Sequence, residues 1–349
     1  MAFSKHPFLP YILIPLLLAI QITQCAPSTC NGQSAYCTRK YSDITQLGAH
    51  DSPFVGPLPQ HNQNLKVIEQ LDLGVRFLQG QTHKALDSDA IQLCHTSCLL
   101  EDAGTLKSFL GTVKAWLDGH PDEVVTLLLT NGDSLPVSRF DEVFASAGIK
   151  DYAFVPDSTP GVLAIESWPT LGDLISKGKR LVMFLGRLHV FSLSIYYVSA
   201  SAGGIRGYTI TISTSFDYSG RCVLNVLFLD YGADTKTVPY ILDEFAYFFE
   251  TPYGITDASF PDCSIDRPSG ASAEGRMYIV NHFLNVEILG IKVPDRIRAP
   301  KTNAASGNGS IGAQSNLCQS IYKRLPDVVL VDFVDQGEVM KAQFALNGV

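Results

Sequence analysis

Residues 41–52 read YSDITQLGAHDS. Positions 43–47 alternate polar and apolar side chains, the two-residue period of a short strand. Gly48 breaks the run, and His50 and Asp51 stand side by side at its end. Working outward, a second strand-like run covers residues 75–84 (VRFLQGQTHK) and a third covers 91–95 (IQLCH). Each ends in polar groups. Histidines at the ends of different strands converge on one mouth when parallel strands close into a β/α barrel, whose carboxyl face carries the chemistry.

The rest of the chain alternates helix and strand patterns. Residues 103–119 place Leu106, Phe109, Leu110, Val113, Trp116 and Leu117 at helical spacing, and Gly119 and Pro121 end the run. Residues 123–130 (EVVTLLLT) form a continuous apolar run suited to a buried parallel strand. Ser138 reads as the cap of a helix to residue 147, with Asp141 as the acidic partner of a capping box. A short helix over 171–177 precedes a buried strand over 180–185 (RLVMFL). Residues 238–250 read as an aromatic-rich helix and 277–284 as a strand. A helix over 313–324, a strand over 328–333 (VVLVDF) and a helix over 338–346 complete the chain. Such alternation predicts one α/β domain built on a parallel sheet, either a closed barrel or an open doubly wound sheet. Residues 296–312 are small and polar, so a mobile loop is expected there, with Asn308 opening a glycosylation sequon.

LGAHDS (47–52), QLDLGVRFLQGQ (70–81) and LCH (93–95), in that order and spacing, resemble the phosphatidylinositol phospholipase C X-domain superfamily. The chain is most similar to its secreted fungal branch of phospholipase C-like phosphodiesterases. The resemblance spans residues 41–347, one segment excepted. It implies a single-domain TIM-type (β/α) barrel over 41–349, with room for irregularity. It also implies cleavage of a lipid-headgroup phosphodiester by intramolecular attack. Such a reaction needs a base for the attacking hydroxyl, an acid for the leaving oxygen and a positive group on the phosphoryl oxygens. On the family pattern His50 is the base, His95 the acid, and Asp332 the aspartate that orients the base. Asp51 follows His50 as in bacterial members.

The third requirement is where the sequence departs from the pattern. Bacterial members carry an aspartate and an arginine on the second strand, and calcium-dependent members carry acidic residues. This chain has Gln79 and Gln81. Two amides make a poor calcium site, so no metal and no cofactor are expected. Residues two apart share a strand face, which groups Gln79, Gln81 and His83 as substrate-facing candidates, with a protonated His83 as the substitute cation. Asn131 offers a further amide, Arg76 reads as structural, and the mouth reads as charge-poor. Two functions follow: a metal-independent secreted phosphodiesterase, or a catalytically weakened barrel that binds a polyol, a headgroup or a cell-wall component.

The composition, 46% hydrophobic and 17% charged with a net charge of −8, describes a globular chain with no electrostatic affinity for nucleic acid. A phospholipid or inositol-phosphate substrate, peripheral membrane contact and a monomeric state are the expected associations. Residues 1–25 read as a signal peptide: Lys5 and His6 precede an apolar run broken by Pro10 and Pro15, and Thr23-Gln24-Cys25 suits cleavage before Ala26. An extracellular compartment permits disulfides. Cys30 with Cys37, in the segment 26–40, and Cys94 with Cys98 are local candidates; Cys263 and Cys318 would close a longer loop. Spacing alone does not fix the connectivity.

Cys222 is then the orphan, and it lies in the one segment that breaks the pattern. Residues 186–229 show β-formers without strand–helix alternation. Removing them joins RLVMFL to DYGADTKTVPYILDEF, a strand, a polar turn and a helix, and leaves an even set of cysteines. Either RLVMFL or VLFL (226–229) suits the strand slot. The segment is a retained intron or a family-specific excursion with exposed Phe191, Ile195, Tyr196 and Tyr197. Sequencing the transcript decides: a spliced message joining the codons of Leu185 and Asp230 is expected, and exclusively unspliced message would refute the intron.

Overall fold

The computed structural model describes residues 27–187, 189–190, 213–216, 222–225, 229–230 and 236–349. Its strands are β1 (Gln46–Ala49), β2 (Phe77–Lys84), β3 (Ile91–Cys94), β4 (Asp102–Thr105), β5 (Val125–Asn131) and β6 (Leu181–Arg187). Four short strands follow: β7 (His189–Val190), β8 (Ser213–Phe216), β9 (Cys222–Asn225) and β10 (Leu229–Asp230). Then come β11 (Ile241–Asp243), β12 (Phe248–Glu250), β13 (Met277–Asn281), β14 (Asn285–Ile288), β15 (Ile291–Pro294) and β16 (Val328–Val331). The helices are α1 (Val67–Leu73), α2 (Leu106–Gly119), α3 (Val137–Ser146), α4 (Leu171–Ser176), α5 (Glu244–Tyr247), α6 (Ala299–Thr302), α7 (Ile311–Tyr322) and α8 (Val339–Asn347).

The main sheet runs β11-β6-β5-β2-β1-β16-β13-β12, with every neighbouring pair on this path parallel. Its two edge strands, β11 and β12, are consecutive in the chain and joined by the single turn α5. Among the described residues they do not pair, so the α/β barrel is open at one seam. β3 and β4 extend β2 antiparallel beyond the barrel wall.

The two-residue period of each strand divides its side chains between two cores. Leu127, Leu129, Met183, Val329 and Val331 pack outward with helix residues such as Leu110 and Trp116. Leu128, Val182, Phe184, Phe248 and Leu330 fill the interior. Gly48 faces that interior at the crossing of three strands, where an added Cβ would lie 2.8 Å from Leu330 and 3.0 Å from Phe77. The amino end of the barrel is closed by the N-terminal segment: Tyr41 bonds Thr126 through its hydroxyl at 2.9 Å and stacks on Trp168. Three disulfides join Cys30–Cys37, Cys94–Cys98 and Cys263–Cys318.

Three local expectations are corrected. Residues 238–250 are not a helix but strand, turn and strand, because the alternating aromatics face the two sides of the sheet edges rather than one helical stripe. The helix expected from Ser138 starts at Val137 behind Pro136, without a side-chain cap; Asp141 binds Lys150 and Tyr240 instead. Residues 296–312 are pinned rather than loose. They contain α6, Asn303 donates to the carbonyls of Asp332 and Phe333, and the buried Ser310 caps α7, while Asn308 itself is exposed. Strand boundaries also shift, β1 beginning at Gln46 after a turn of 3-10 helix at Tyr41–Asp43.

RLVMFL holds the strand slot: β6 pairs with β5 from Leu181 opposite Val125 through Arg187 opposite Asn131. Pairing therefore continues two residues into the segment 186–229. The signal peptide, the side chain of Cys222, and Phe191, Ile195, Tyr196 and Tyr197 lie outside the described residues.

Candidate active site

The carboxyl ends of β1, β2 and β16 bring the expected residues together. His50 follows β1, and its amide donates to Val331 of β16, so the sheet ladder fixes its backbone. Its Nδ1 lies 2.8 Å from Asp332 Oδ1, and Asn62 donates to the same carboxylate oxygen at 3.0 Å. The carboxylate accepts a hydrogen bond from Nδ1–H, which leaves Nε2 as the basic nitrogen of the neutral ring. Phe283 stacks flat on the ring at 3.7 Å. Asn62 and Phe283 carry no motif signal; their roles emerge only from the fold.

Asp51 is fully buried and stands between the two histidines. Its Oδ2 is 3.5 Å from His50 Nε2 and 3.3 Å from His95 Nε2. Its backbone sits at φ +46°, a left-handed conformation that turns the side chain back into the barrel. Gln79 and Gln81 explain how that is held. Gln79 Oε1 accepts from the Asp51 amide at 2.7 Å, and Gln81 Nε2 donates to the Asp51 carboxylate at 3.2 Å. Gln81 Oε1 accepts from the amide of Thr96, tying the carboxylate to the loop that carries His95.

His83 and Asn131 are placed elsewhere. His83 lies beyond the barrel on the β2–β3 extension, over Gly132, with Asp133 3.1 Å away. Asn131 is buried and closes the following turn through the amide and carbonyl of Leu135. Arg76 pairs with Glu123 at 2.7 Å and lies over Trp116, a structural position.

The mouth is a cavity of about 520 Å³, lined by His50, Gln79 and Gln81 on one side and by Glu244, Glu250, Tyr253 and Arg267 on the other. Neither His95 nor the fully buried Asp51 lines it; both stand behind His50 and Gln81, which contact Asp51. The expectation of a charge-poor mouth is overturned by that second side. Arg267 bonds the Glu250 carboxylate and lies over Tyr253, and Asn281 donates to the same carboxylate at 3.2 Å. The Nε of Arg267 is buried without a protein partner. The sequence carries no sign of them: the segment holding Glu244 and Glu250 reads as an aromatic-rich helix, and nothing in sequence points Arg267 inward. Glu244 lies against Gly186, where any Cβ would collide with its carboxyl.

Burial lowers the pKa of His50, but the charges of Asp51 and Asp332 outweigh it and hold the group above its ordinary value. His95 is likewise raised, its burial outweighed by the hydrogen bond and charge of Asp51. Asp51 is held low despite burial by the two imidazoles. Burial drives Glu244 well above the carboxylate range, and the neighbouring Glu250 adds to it; Glu250 is held low, its own burial offset by Arg267. The two carboxyls are hydrogen-bonded to each other, and burial together with the charge of Glu250 favours the protonated form of Glu244. Among the described residues no three His, Cys, Asp or Glu side chains converge to hold a metal ion.

The sequence profile described as PI-PLC X 1 matches residues 36–199 and 214–347. The chain belongs to the PI-PLC X family. It is 49% identical over 338 residues to "PI-PLC X domain-containing protein 1" of Arthroderma benhamiae, covering 96% of this chain and 95% of that one. An "Uncharacterized secreted protein" of the same organism is 39% identical, covering 90% of this chain and 62% of the relative. Among solved structures, a mutant phosphatidylinositol-specific phospholipase C from Staphylococcus aureus aligns with a TM-score of 0.45 at 16% identity, over 87% of this chain and 93% of that one. The Listeria monocytogenes enzyme gives 0.44 at 14%, over 90% and 95%.

Replacing Asp332 with Asn tests the His50 geometry. The change removes a negative charge that raises His50, so the pKa falls and the acid limb of kcat/KM moves to lower pH. Turnover should drop by about 10²-fold or more as the imidazole loses its orientation. An unshifted acid limb would show that His50 is not the titrating base.

Proposed function

We propose that the chain is a secreted phosphodiesterase that cleaves the headgroup phosphodiester of a phosphoinositide or related lipid without a metal ion. The observation that carries this reading is the buried Asp51 carboxylate shared by the imidazoles of His50 and His95, with Asp332 behind His50. A neutral His50 Nε2 takes the proton of a ring hydroxyl, whose oxygen attacks phosphorus. The His95 imidazolium gives its proton to the departing lipid alkoxide. Asp51 favours one shared proton on the histidine pair, which suits a base and an acid acting in one step.

The opposite wall supplies the headgroup contacts. Glu244, Glu250 and Arg267 present carboxyl oxygens and a cation to a polyol. Gln79 and Gln81 act through Asp51, so their lack of charge is no obstacle. Secretion is supported by the disulfides and by the name of the 39%-identical relative.

Contact with a lipid surface is assigned to the β14–β15 hairpin, which rises from the rim just after Phe283. At its tip Leu289 is 99% exposed and Ile291 66% exposed. Burying such side chains in an apolar phase contributes roughly 1.5–3 kcal/mol each. Leu289→Asp is expected to weaken sedimentation with phosphatidylcholine vesicles and leave turnover of a soluble ester unchanged; equal vesicle binding would remove the hairpin from the interface.

Turnover of phosphatidylinositol, compared with His50→Ala, tests the activity. Release of a cyclic inositol phosphate that persists in a chelator and disappears in His50→Ala is the expected result. Binding without turnover would favour a polyol-binding barrel, and loss in chelator restored by calcium would overturn metal independence.

A further inference from the structure

His50 and His95 are held by different means. His50 continues a central strand: its amide bonds Val331, its carbonyl accepts from Gln63, and Phe283 covers its ring. His95 lies one residue past the end of β3, in the loop Cys94-His95-Thr96-Ser97-Cys98. Pairing between β2 and β3 stops at Leu93, and the β3–β4 ladder is irregular between Gln92 and Cys94. The backbone of His95 itself has a 3.2 Å bond to the carbonyl of Glu101 and a short-range bond from Ser97. Thr96 turns through φ +63° and is exposed, as are Leu99 and Leu100. The covalent link across this loop is the Cys94–Cys98 disulfide, with its Cα atoms 4.8 Å apart.

We propose that this disulfide is a positioning element for His95. It holds the imidazole against Asp51, and opening it uncouples the acid while the base and the barrel persist. The inference rests on the acid role given to His95 above. A cystine that spans four residues restrains little unfolded-chain entropy, far less than the 55-residue span of Cys263–Cys318, so its effect is local. Cys94 is buried and Cys98 is partly exposed, which makes Cys98 Sγ the accessible sulfur. A dithiol reductant attacks there as a thiolate, and Cys94 Sγ leaves and is protonated. The second thiol of the reductant then displaces Cys98 Sγ. Two electrons pass to the cystine, giving two cysteine thiols and a reductant disulfide.

The test exploits the leaving group. A lipid alkoxide is a strong base and needs the proton of His95; a nitrophenolate does not. Turnover of phosphatidylinositol and of an inositol nitrophenyl phosphate is measured for the wild type, His95→Ala and the double variant Cys94→Ser, Cys98→Ser. Both variants should lose about 10²-fold in kcat on the lipid, with KM little changed, and far less on the nitrophenyl ester. If the double variant does not fold, the wild-type protein is reduced by a dithiol, with the opened bond located by alkylation and mass spectrometry. The same selective loss, reversed on reoxidation, is expected. Full lipid turnover with the bond demonstrably open, or equal loss on both esters, overturns the proposal while leaving the acid role of His95 intact. No leaving-group dependence in His95→Ala overturns that acid role, and the proposal with it.

Discussion

The carboxylate of Asp51 is the group on which the site's geometry depends. A buried, unpaired carboxylate would be strongly destabilising, so every oxygen contact around it is enforced. Two imidazoles and an amide meet that demand, and in meeting it they are drawn to one place. The left-handed backbone at Asp51 is itself held by Gln79 through the Asp51 amide and by the sheet bond of His50 to Val331. Three barrel strands and the β3 loop are therefore committed to the position of a single charged side chain.

That dependence gives the two glutamines a role which chemistry by residue type does not suggest. In the sequence they occupy positions where a phosphate or metal contact is expected, and their missing charge looks like a defect. In the fold Gln79 accepts from the Asp51 amide, and Gln81 is spent on the Asp51 carboxylate and on Thr96 of the loop that carries His95. An amide suits this task because it donates to a carboxylate with one end and accepts from a backbone N–H with the other. A carboxylate at Gln81 would face Asp51 with like charge.

The features legible in sequence were those set by local periodicity and by motif spacing. LGAHDS and VVLVDF end parallel strands, which put their ends on one face, so His50 and Asp332 fall on one rim; LCH ends the antiparallel β3 instead, and His95 reaches Asp51 because β3 runs back along β2. The same logic reads RLVMFL and EVVTLLLT each as a buried strand, and the fold pairs them as β6 and β5. It failed over residues 238–250, where aromatic residues dense enough to satisfy either period were read as a helix. It failed again at His83 and Asn131, because a strand face says nothing about where the barrel wall ends and an antiparallel extension begins. Asn62, Phe283 and Arg267 come from loops and strand ends whose local sequence is silent; only long-range packing brings them to the cavity.

The open seam creates the second wall of the cavity. β11 and β12 are the two sheet edges, and the turn α5 crosses between them. A closed ladder there would pair the backbone and leave the carboxyl ends uniform. Instead the chain reverses its role within ten residues, and Glu244 and Glu250, at the start of α5 and the end of β12, face each other across the break. Burial and the charge of Glu250 both raise the pKa of Glu244, because they penalise a second anion. Arg267 then balances the single charge that remains. The cavity is left with a histidine–carboxylate wall on one side and a glutamate–arginine wall on the other. The same irregularity that hides the second wall from sequence periodicity is what creates it.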